Sequence, residues 1–194
     1  MKLKLSRSPK AASAMQLDAT YVRRRILTAT KLVLPRGSTI NTRAVPRCTA
    51  TVDQLSAAGG ADNACPPDAQ IGTATAQVFI ADNPAPVAFT GSVWNYATSM
   101  LVELNLGDTA AYYVTGRIRA NTVDYSLVIA EQLNAHATKV TLKIDNAGTK
   151  HRPYLRTPAT CPNGSWTARE INTYAGGVKE RAKTTVPCRR TRKG

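Results

Sequence analysis

The chain has 194 residues, enough for one domain that buries a substantial apolar core without help from a bound metal. Lysine and arginine outnumber aspartate and glutamate by 26 to 12, a formal net charge of +14, and only 6% of the residues are aromatic. No apolar run approaches the roughly 18 residues of a membrane-spanning helix, so we expect none. The N-terminal segment MKLKLSRSPK is basic but no apolar stretch follows it, so we do not expect an intact signal peptide.

The charges are distributed unevenly along the chain. Residues 1–47 carry 11 basic residues and one acid, residues 48–116 carry six acids and no basic residue, and residues 117–194 carry 15 basic residues and five acids. A basic excess of this size favours anionic partners: an envelope polymer, an anionic surface or nucleic acid. It is also, and more often, typical of a well-solvated soluble surface.

Segments of alternating, β-branched residues recur between turn residues along most of the chain. We predict strands over residues 2–6, 15–22, 26–34, 71–80, 87–96, 100–106, 111–119, 123–131, 138–145, 154–157, 166–174 and 178–186. The turn residues at 146–148 and 175–177 look like hairpin loops. Because no helical period exceeds two turns, we predict an all-β fold, an antiparallel β-sandwich of Ig-like or jelly-roll-like type. We expect one domain spanning residues 1–194, with a flexible basic tail over residues 189–194.

Residues 45–74 contain two of the four cysteines and the clearest helix signal. Thr51 followed by Gln54 fits a capping box, which predicts about two helical turns over residues 52–58, ended by Gly59 and Gly60. We therefore predict one short helix-bearing loop between strands. Its polar residues are explained as caps and turns, so we interpret it as a structural clasp on the face turned away from an anionic partner.

The four cysteines, Cys48, Cys65, Cys161 and Cys188, permit three disulfide pairings. We favour the two local pairs, because Cys48–Cys65 would staple the helix-bearing loop and Cys161–Cys188 would join the outer ends of the last hairpin. Crossed pairings and reduced thiols remain alternatives. Zinc is disfavoured because no CxxC pair occurs and the two histidines follow no ligand spacing.

Four segments agree in order and spacing with a known group of proteins. They are LPRGSTINTRAVPRC (34–48), CPPDAQIGTATA (65–76), YLRTPATCPNGSW (154–166) and the final pair Pro187 and Cys188. The chain resembles, over residues 26–190, a group of uncharacterised secreted β-sandwich proteins of actinobacteria. The resemblance implies an extracellular β-sandwich with two local disulfides. It implies no catalytic residue, because the group has no established activity.

No motif of a known catalytic site is present. His136 and His151 are interpreted as loop histidines, and Glu103, alone on an apolar strand, is expected to face solvent or a partner. Asp62 and Asp68 lack the spacing of a calcium loop and are explained by turns. We therefore predict a non-enzymatic protein with no catalytic residue, no metal site and no cofactor.

The remaining signal is a set of basic residues, which form one face if the chain termini lie together. The candidate anion-binding residues are Arg23, Arg24, Arg25, Arg152, Arg156, Arg189, Arg190, Arg192 and Lys193. We predict a secreted or cell-surface structural or binding protein that associates with anionic envelope polymers or assembles into a homo-oligomer. The alternatives are a nucleic-acid-associated or coat-type protein with basic arms, and a hydrolase whose site the sequence does not display.

Overall fold

The computed structural model describes residues 1–21, 25–80, 83–107, 109–127, 130 and 135–190, with the backbone alone described at 109–111. Within these ranges the strands are β1 (Lys2–Leu5), β2 (Met15–Thr20), β3 (Leu27–Val33), β4 (Thr39–Ile40), β5 (Gln70–Ile80), β6 (Val87–Asn95), β7 (Ser99–Leu106), β8 (Thr109–Arg119), β9 (Thr122–Ser126), β10 (Ala135–Ile144), β11 (Leu155–Arg156), β12 (Ser165–Tyr174) and β13 (Lys179–Pro187). The helices are α1 (Val52–Ala57) and α2 (Ala61–Ala64). Neither of these helices is long and apolar enough to cross a membrane.

Eleven of the strands form one antiparallel sheet, in the order β1-β2-β10-β5-β6-β7-β8-β9-β3-β12-β13, and β4 pairs with β11 separately. The large sheet curves until its first and last strands approach each other. At this seam the backbone N–H of Arg189, just after β13, donates to the carbonyl oxygen of Arg7, just after β1, at 2.7 Å. The predicted all-β antiparallel fold is confirmed, and its strands form a single, nearly closed sheet around an apolar interior.

The interior has two halves along the strand direction. We call the end where β2 finishes and β3 begins the upper end, and the end nearest the Cys161–Cys188 disulfide the lower end. In the lower half large side chains fill the core, among them Met15, Ile71 and Trp166. In the upper half the inward residues are smaller, because alanines occupy several inward positions of β5 and β10.

The insert between β4 and β5 follows the prediction closely. The capping box is confirmed: the Gln54 N–H donates to Thr51 Oγ1 at 3.3 Å, and the Thr51 N–H donates to Gln54 Oε1 at 2.8 Å. The short helix α2 was not predicted, since it has no side-chain cap that a sequence pattern would show. The two favoured disulfides, Cys48–Cys65 and Cys161–Cys188, are also confirmed, and they leave no free thiol.

Most predicted strands agree with the structure to within three residues at each end, and two expectations need correction. β9 ends at Ser126 and not at residue 131, and the Ala130 N–H donates to the Leu127 carbonyl oxygen at 2.9 Å and not to a neighbouring strand. Residues 146–148 do not join two paired strands, since β10 pairs with β2 and β5 while the following β11 pairs with β4. The hairpin loop predicted at residues 175–177 is confirmed between β12 and β13.

Candidate anion-binding surface

The outer surface of five adjacent strands, β8, β9, β3, β12 and β13, carries most of its charge as cations. Successive side chains of a strand point to opposite faces of the sheet, so alternate residues share the outer surface. The exposed cations on these strands, which we call the basic face, are Arg117, Arg119, Lys31, Arg169, Lys179, Arg181 and Lys183. Four strands from three distant parts of the sequence therefore present one charged surface.

Strand register sets the spacing of these cations. Arg169 of β12 lies opposite Lys183 of β13, and the next outward pair along the same two strands is Ile171 opposite Arg181. Ile171 also lies opposite Lys31 of β3. Because neighbouring strands are about 4.8 Å apart and outward residues of one strand about 6.8 Å apart, the cations form rows at regular intervals.

Acidic residues are scarce on this face. Lys31 Nζ lies 3.3 Å from a carboxylate oxygen of Asp124 on β9, and this is the one ion pair in the part of the chain that the structure describes. Glu180, between two exposed cations of β13, instead accepts a hydrogen bond from the Tyr174 hydroxyl at 2.7 Å. The other cations of the basic face are therefore available to an external anion.

The basic surface continues across the seam onto β1, β2 and β10. The exposed cations there are Lys2, Lys4, Lys139 and Lys143. Partial burial acts to raise the pKa of Asp18 on β2, but hydrogen bonds from Gln16 and Thr141 and the nearby lysines lower it below its ordinary value. The acid is thus held ionised among cations of its own surface.

The predicted anion-binding residues do not all lie at one end of the sheet. Arg25 is at the upper end, with its guanidinium carbon 5.8 Å from the centroid of the Tyr174 ring. Arg189 and Arg190 follow β13 at the lower end, so the length of β12, about 30 Å, separates them from Arg25. Four further candidates, Arg23, Arg24, Arg192 and Lys193, lie outside the described residues.

The lower end collects several basic residues from distant parts of the chain. Arg156 lies in β11, and its guanidinium donates to the carbonyl oxygen of His151 at 3.0 Å. The segment after β1 crosses this end, where the Lys10 N–H donates to the Pro158 carbonyl oxygen at 2.9 Å and Arg7 contacts the start of the tail. Arg152 is exposed in the loop before β11. These residues add a basic lower end to the basic face.

Sequence reasoning missed the basic face because its members are scattered. A signal existed in the last predicted hairpin, where Lys179, Arg181 and Lys183 recur with a period of two. Their neighbours Arg169 and Lys31 join them through the pairing of β12 with both β13 and β3, which no local pattern indicates.

The acidic insert lies away from the seam. Its Leu55 and Ala61 pack on Trp94 and Leu101, which belong to the outer surfaces of β6 and β7, about half-way around the sheet from the β1–β13 seam. The exposed acids of the insert are Asp53, Asp62 and Asp68. Because residues 48–116 contain no basic residue, the protein has opposite charge on its two sides.

Glu103 was expected to face solvent or a partner, and that expectation is wrong. The residue is 4% exposed on the outer surface of β7, where the insert covers it and the Ala61 N–H donates to Glu103 Oε2 at 3.1 Å. Burial raises the pKa of Glu103 above its ordinary value. Because the insert covers it, the carboxyl group of Glu103 is not accessible to a substrate.

The histidines do not assemble a reactive site either. His136 lies inside β10, half-buried, and not in the loop expected for it, while His151 is exposed at the lower end. No cluster of metal-ligating side chains occurs within the described ranges. The chain matches no protein-family model, and neither the curated proteins nor the solved structures contain a significant match. The exposed arginine and lysine side chains of the basic face can form charge-assisted hydrogen bonds with an anion.

Proposed function

We propose that this protein is a non-enzymatic, exported surface or structural protein that uses its basic face to bind an anionic polymer of the cell envelope. The observation that carries the proposal is the register of Arg169, Lys183, Arg181 and Lys31 on neighbouring strands with a single paired acid, Asp124, among them. A rigid sheet holds these cations at fixed intervals, so a polyanion can contact several of them at once. Each contact releases a condensed counterion from the polymer, which favours binding at low salt.

Export is part of the proposal. Two disulfides, Cys48–Cys65 and Cys161–Cys188, persist in oxidising compartments and are rare in the cytosol. The resemblance to secreted actinobacterial proteins supports the same location. An extracellular protein with this surface meets anionic envelope polymers before it meets nucleic acid.

Charge also argues against direct self-association through the basic face. Each copy carries a formal net charge of +14, so two basic faces repel each other unless a polyanion lies between them. We therefore propose the polymer, and not a second copy of the chain, as the first partner.

Co-sedimentation with purified cell-wall fragments tests this function. The variant Arg169→Gln/Lys183→Gln removes two neighbouring cations of the basic face and should weaken binding at least tenfold at physiological salt. The slope of log affinity against log salt should fall by about 2, since each neutralised anion contributes roughly 0.9 to that slope in the best-studied polyanion. Wall fragments stripped of their phosphate polymers should not bind the wild-type protein.

A matched control distinguishes binding through the basic face from attraction by the net charge of the protein. Ala88→Glu/Thr90→Glu changes the net charge by the same amount at two exposed positions of β6, which have no cation opposite them, and should change affinity less than twofold. Equal losses in both variants would show that net charge alone attracts the protein. Duplex DNA is the competing ligand: an affinity for DNA that exceeds that for walls by orders of magnitude at physiological salt would favour the nucleic-acid alternative.

A further inference from the structure

An apolar cavity of about 150 Å³ lies in the upper half of the nearly closed sheet. It is separate from the basic face, which is on the other side of the same strands. Its wall consists of aliphatic and aromatic side chains, and only Tyr21, Thr30, Tyr112 and Tyr125 bring a polar side-chain atom to it. Protein interiors are close-packed and rarely contain a void much larger than a water molecule, so this volume requires an explanation.

Small residues on two adjacent strands keep the volume open. Ala74 and Ala76 of β5 lie opposite Leu142 and Val140 of β10, and Ala137 of β10 lies opposite Val78. All of these residues line the cavity. At the equivalent inward positions of the lower half, larger side chains such as Ile71 and Ile144 fill the core.

Three of the four polar groups of the wall are already engaged. The Tyr21 hydroxyl donates to Glu170 Oε1 at 2.9 Å, the Tyr125 hydroxyl contacts the Met100 sulfur at 2.9 Å, and the Thr30 hydroxyl is hydrogen-bonded to Asn172. A buried water needs two to four polar partners, which this wall does not offer. The cavity therefore favours hydrocarbon over water.

The apolar wall selects against an anionic occupant. Taking an ion out of water is costly unless a partner compensates its charge, and no charged residue lines the described cavity. The cations of β12 and β13 point to the outer surface and cannot compensate an anion inside. A neutral molecule does not carry this cost of removing a charge from water.

Part of the described lining is accessible at the upper end. Leu27 and Ala135, near the upper strand ends, are 2% and 5% exposed, whereas Ile80, Leu104 and Leu127 are only half-buried. The half-buried residues mark the part of the upper end from which the cavity can be approached.

We propose that this cavity is a binding site for a small neutral hydrocarbon compound, or for the hydrocarbon end of a longer neutral molecule. An apolar cavity of this volume accommodates a benzene-sized molecule, so the bound part has roughly six to eight carbon atoms. The site does not depend on binding of an envelope polymer, because its lining is on the inner face of the strands.

Binding of toluene, with benzoate as its charged counterpart of similar size, tests the proposal. We expect saturable binding of toluene with a Kd below about 1 mM, seen by calorimetry and by shifts of the methyl NMR signals of Val78, Val102 and Val114. Benzoate should bind at least tenfold more weakly. The variant Ala76→Leu should fill the cavity, abolish toluene binding and leave the melting temperature unchanged or higher.

Two control variants make the result specific. Thr75→Leu places the same side chain on the outer face of β5 and should retain full toluene binding. Ala168→Leu places it in the packed lower core, where Ala168 is 1% exposed, and should lower the melting temperature. If Ala76→Leu fails to fold, Ala137→Leu on the adjacent strand β10 is used as the cavity-filling variant. Absence of saturable toluene binding, benzoate binding as tight as toluene, or unchanged toluene binding in the cavity-filling variant would each overturn the proposal.

Discussion

Tyr21 and Glu170 are 149 residues apart in the sequence and are joined by a hydrogen bond of 2.9 Å in the interior of the sheet. Tyr21 follows β2 and Glu170 belongs to β12, so the bond crosses the seam between the first and last strands. Burial raises the pKa of both groups above their ordinary values. The nearly closed shape of the sheet is thus supported by a buried acid that resists ionisation.

This buried acid predicts a pH dependence of stability. Because the folded protein binds the Glu170 proton more tightly than the unfolded chain does, the group contributes stability below its ordinary pKa of 4.5. That contribution is lost as the pH rises through the higher pKa of the folded state. The variant Glu170→Gln keeps an oxygen acceptor for the Tyr21 hydroxyl and has no charge, so its stability relative to wild type should increase from pH 4 to pH 8. Urea unfolding of both proteins at several pH values measures the difference, and parallel stability curves would contradict the prediction.

Asn95 predicts a second stability effect, at the base of the insert. Its side-chain amide is fully buried and donates to the carbonyl oxygens of Thr42 at 2.9 Å and Pro46 at 2.8 Å. Asn95→Ala leaves the Pro46 carbonyl without its side-chain donor and the Thr42 carbonyl with only the Arg47 Nε–H, at 3.0 Å. The substitution should lower the free energy of unfolding by about 2–3 kcal/mol. Asn63→Ala is the control, because Asn63 makes a single exposed bond to Ala58 and its loss should cost less than about 0.5 kcal/mol. Chemical denaturation measures both, and equal losses would sink the prediction.

Gly60 is required by the close approach of Glu103 beneath the insert. Its φ is +132°, and a Cβ atom there would lie 2.9 Å from Glu103 Oε1. Gly60→Ala therefore combines backbone strain with a steric conflict and should cost about 2–3 kcal/mol. Gly107→Ala, at a φ of +62° with no neighbouring atom, carries backbone strain alone and should cost about 1 kcal/mol. Thermal unfolding that ranks the two variants in the opposite order would contradict the assigned role of Gly60.

The two disulfides should contribute unequally to stability. Cys161–Cys188 spans 27 residues and Cys48–Cys65 spans 17, so in the chain-entropy model their loss costs about 3.6 and about 3.2 kcal/mol. Loss of Cys161–Cys188 should also weaken polymer binding more, because this disulfide joins the ends of the β12–β13 hairpin, which carries four of the seven cations of the basic face. Paired Cys→Ser variants in denaturation and wall-binding assays test this, with Cys48→Ser/Cys65→Ser as the control. The prediction would be contradicted if Cys48→Ser/Cys65→Ser lost wall binding while Cys161→Ser/Cys188→Ser retained it.

Local patterns predicted the local structure well. The alternation of β12 and β13, the glycines between them and the flanking Cys161 and Cys188 are all within 30 residues, so hairpin and disulfide could be inferred together. The capping box of α1 involves Thr51 and Gln54, three residues apart. Elements of this kind depend on neighbours in the chain, which a sequence pattern records.

The sequence by itself determined the all-β class, the short helical insert and the overall basic charge, and it favoured the two local disulfides that the structure confirms. Only the tertiary structure decided that β3 lies between β9 and β12, which brings Lys31 beside Arg169 and creates the basic face. It also decided that Glu103 is covered by the insert and that alanines of the adjacent strands β5 and β10 line one wall of a cavity. The physical reason is that alternation tells which residues share one face of a strand, whereas strand order and register decide which strands share a surface.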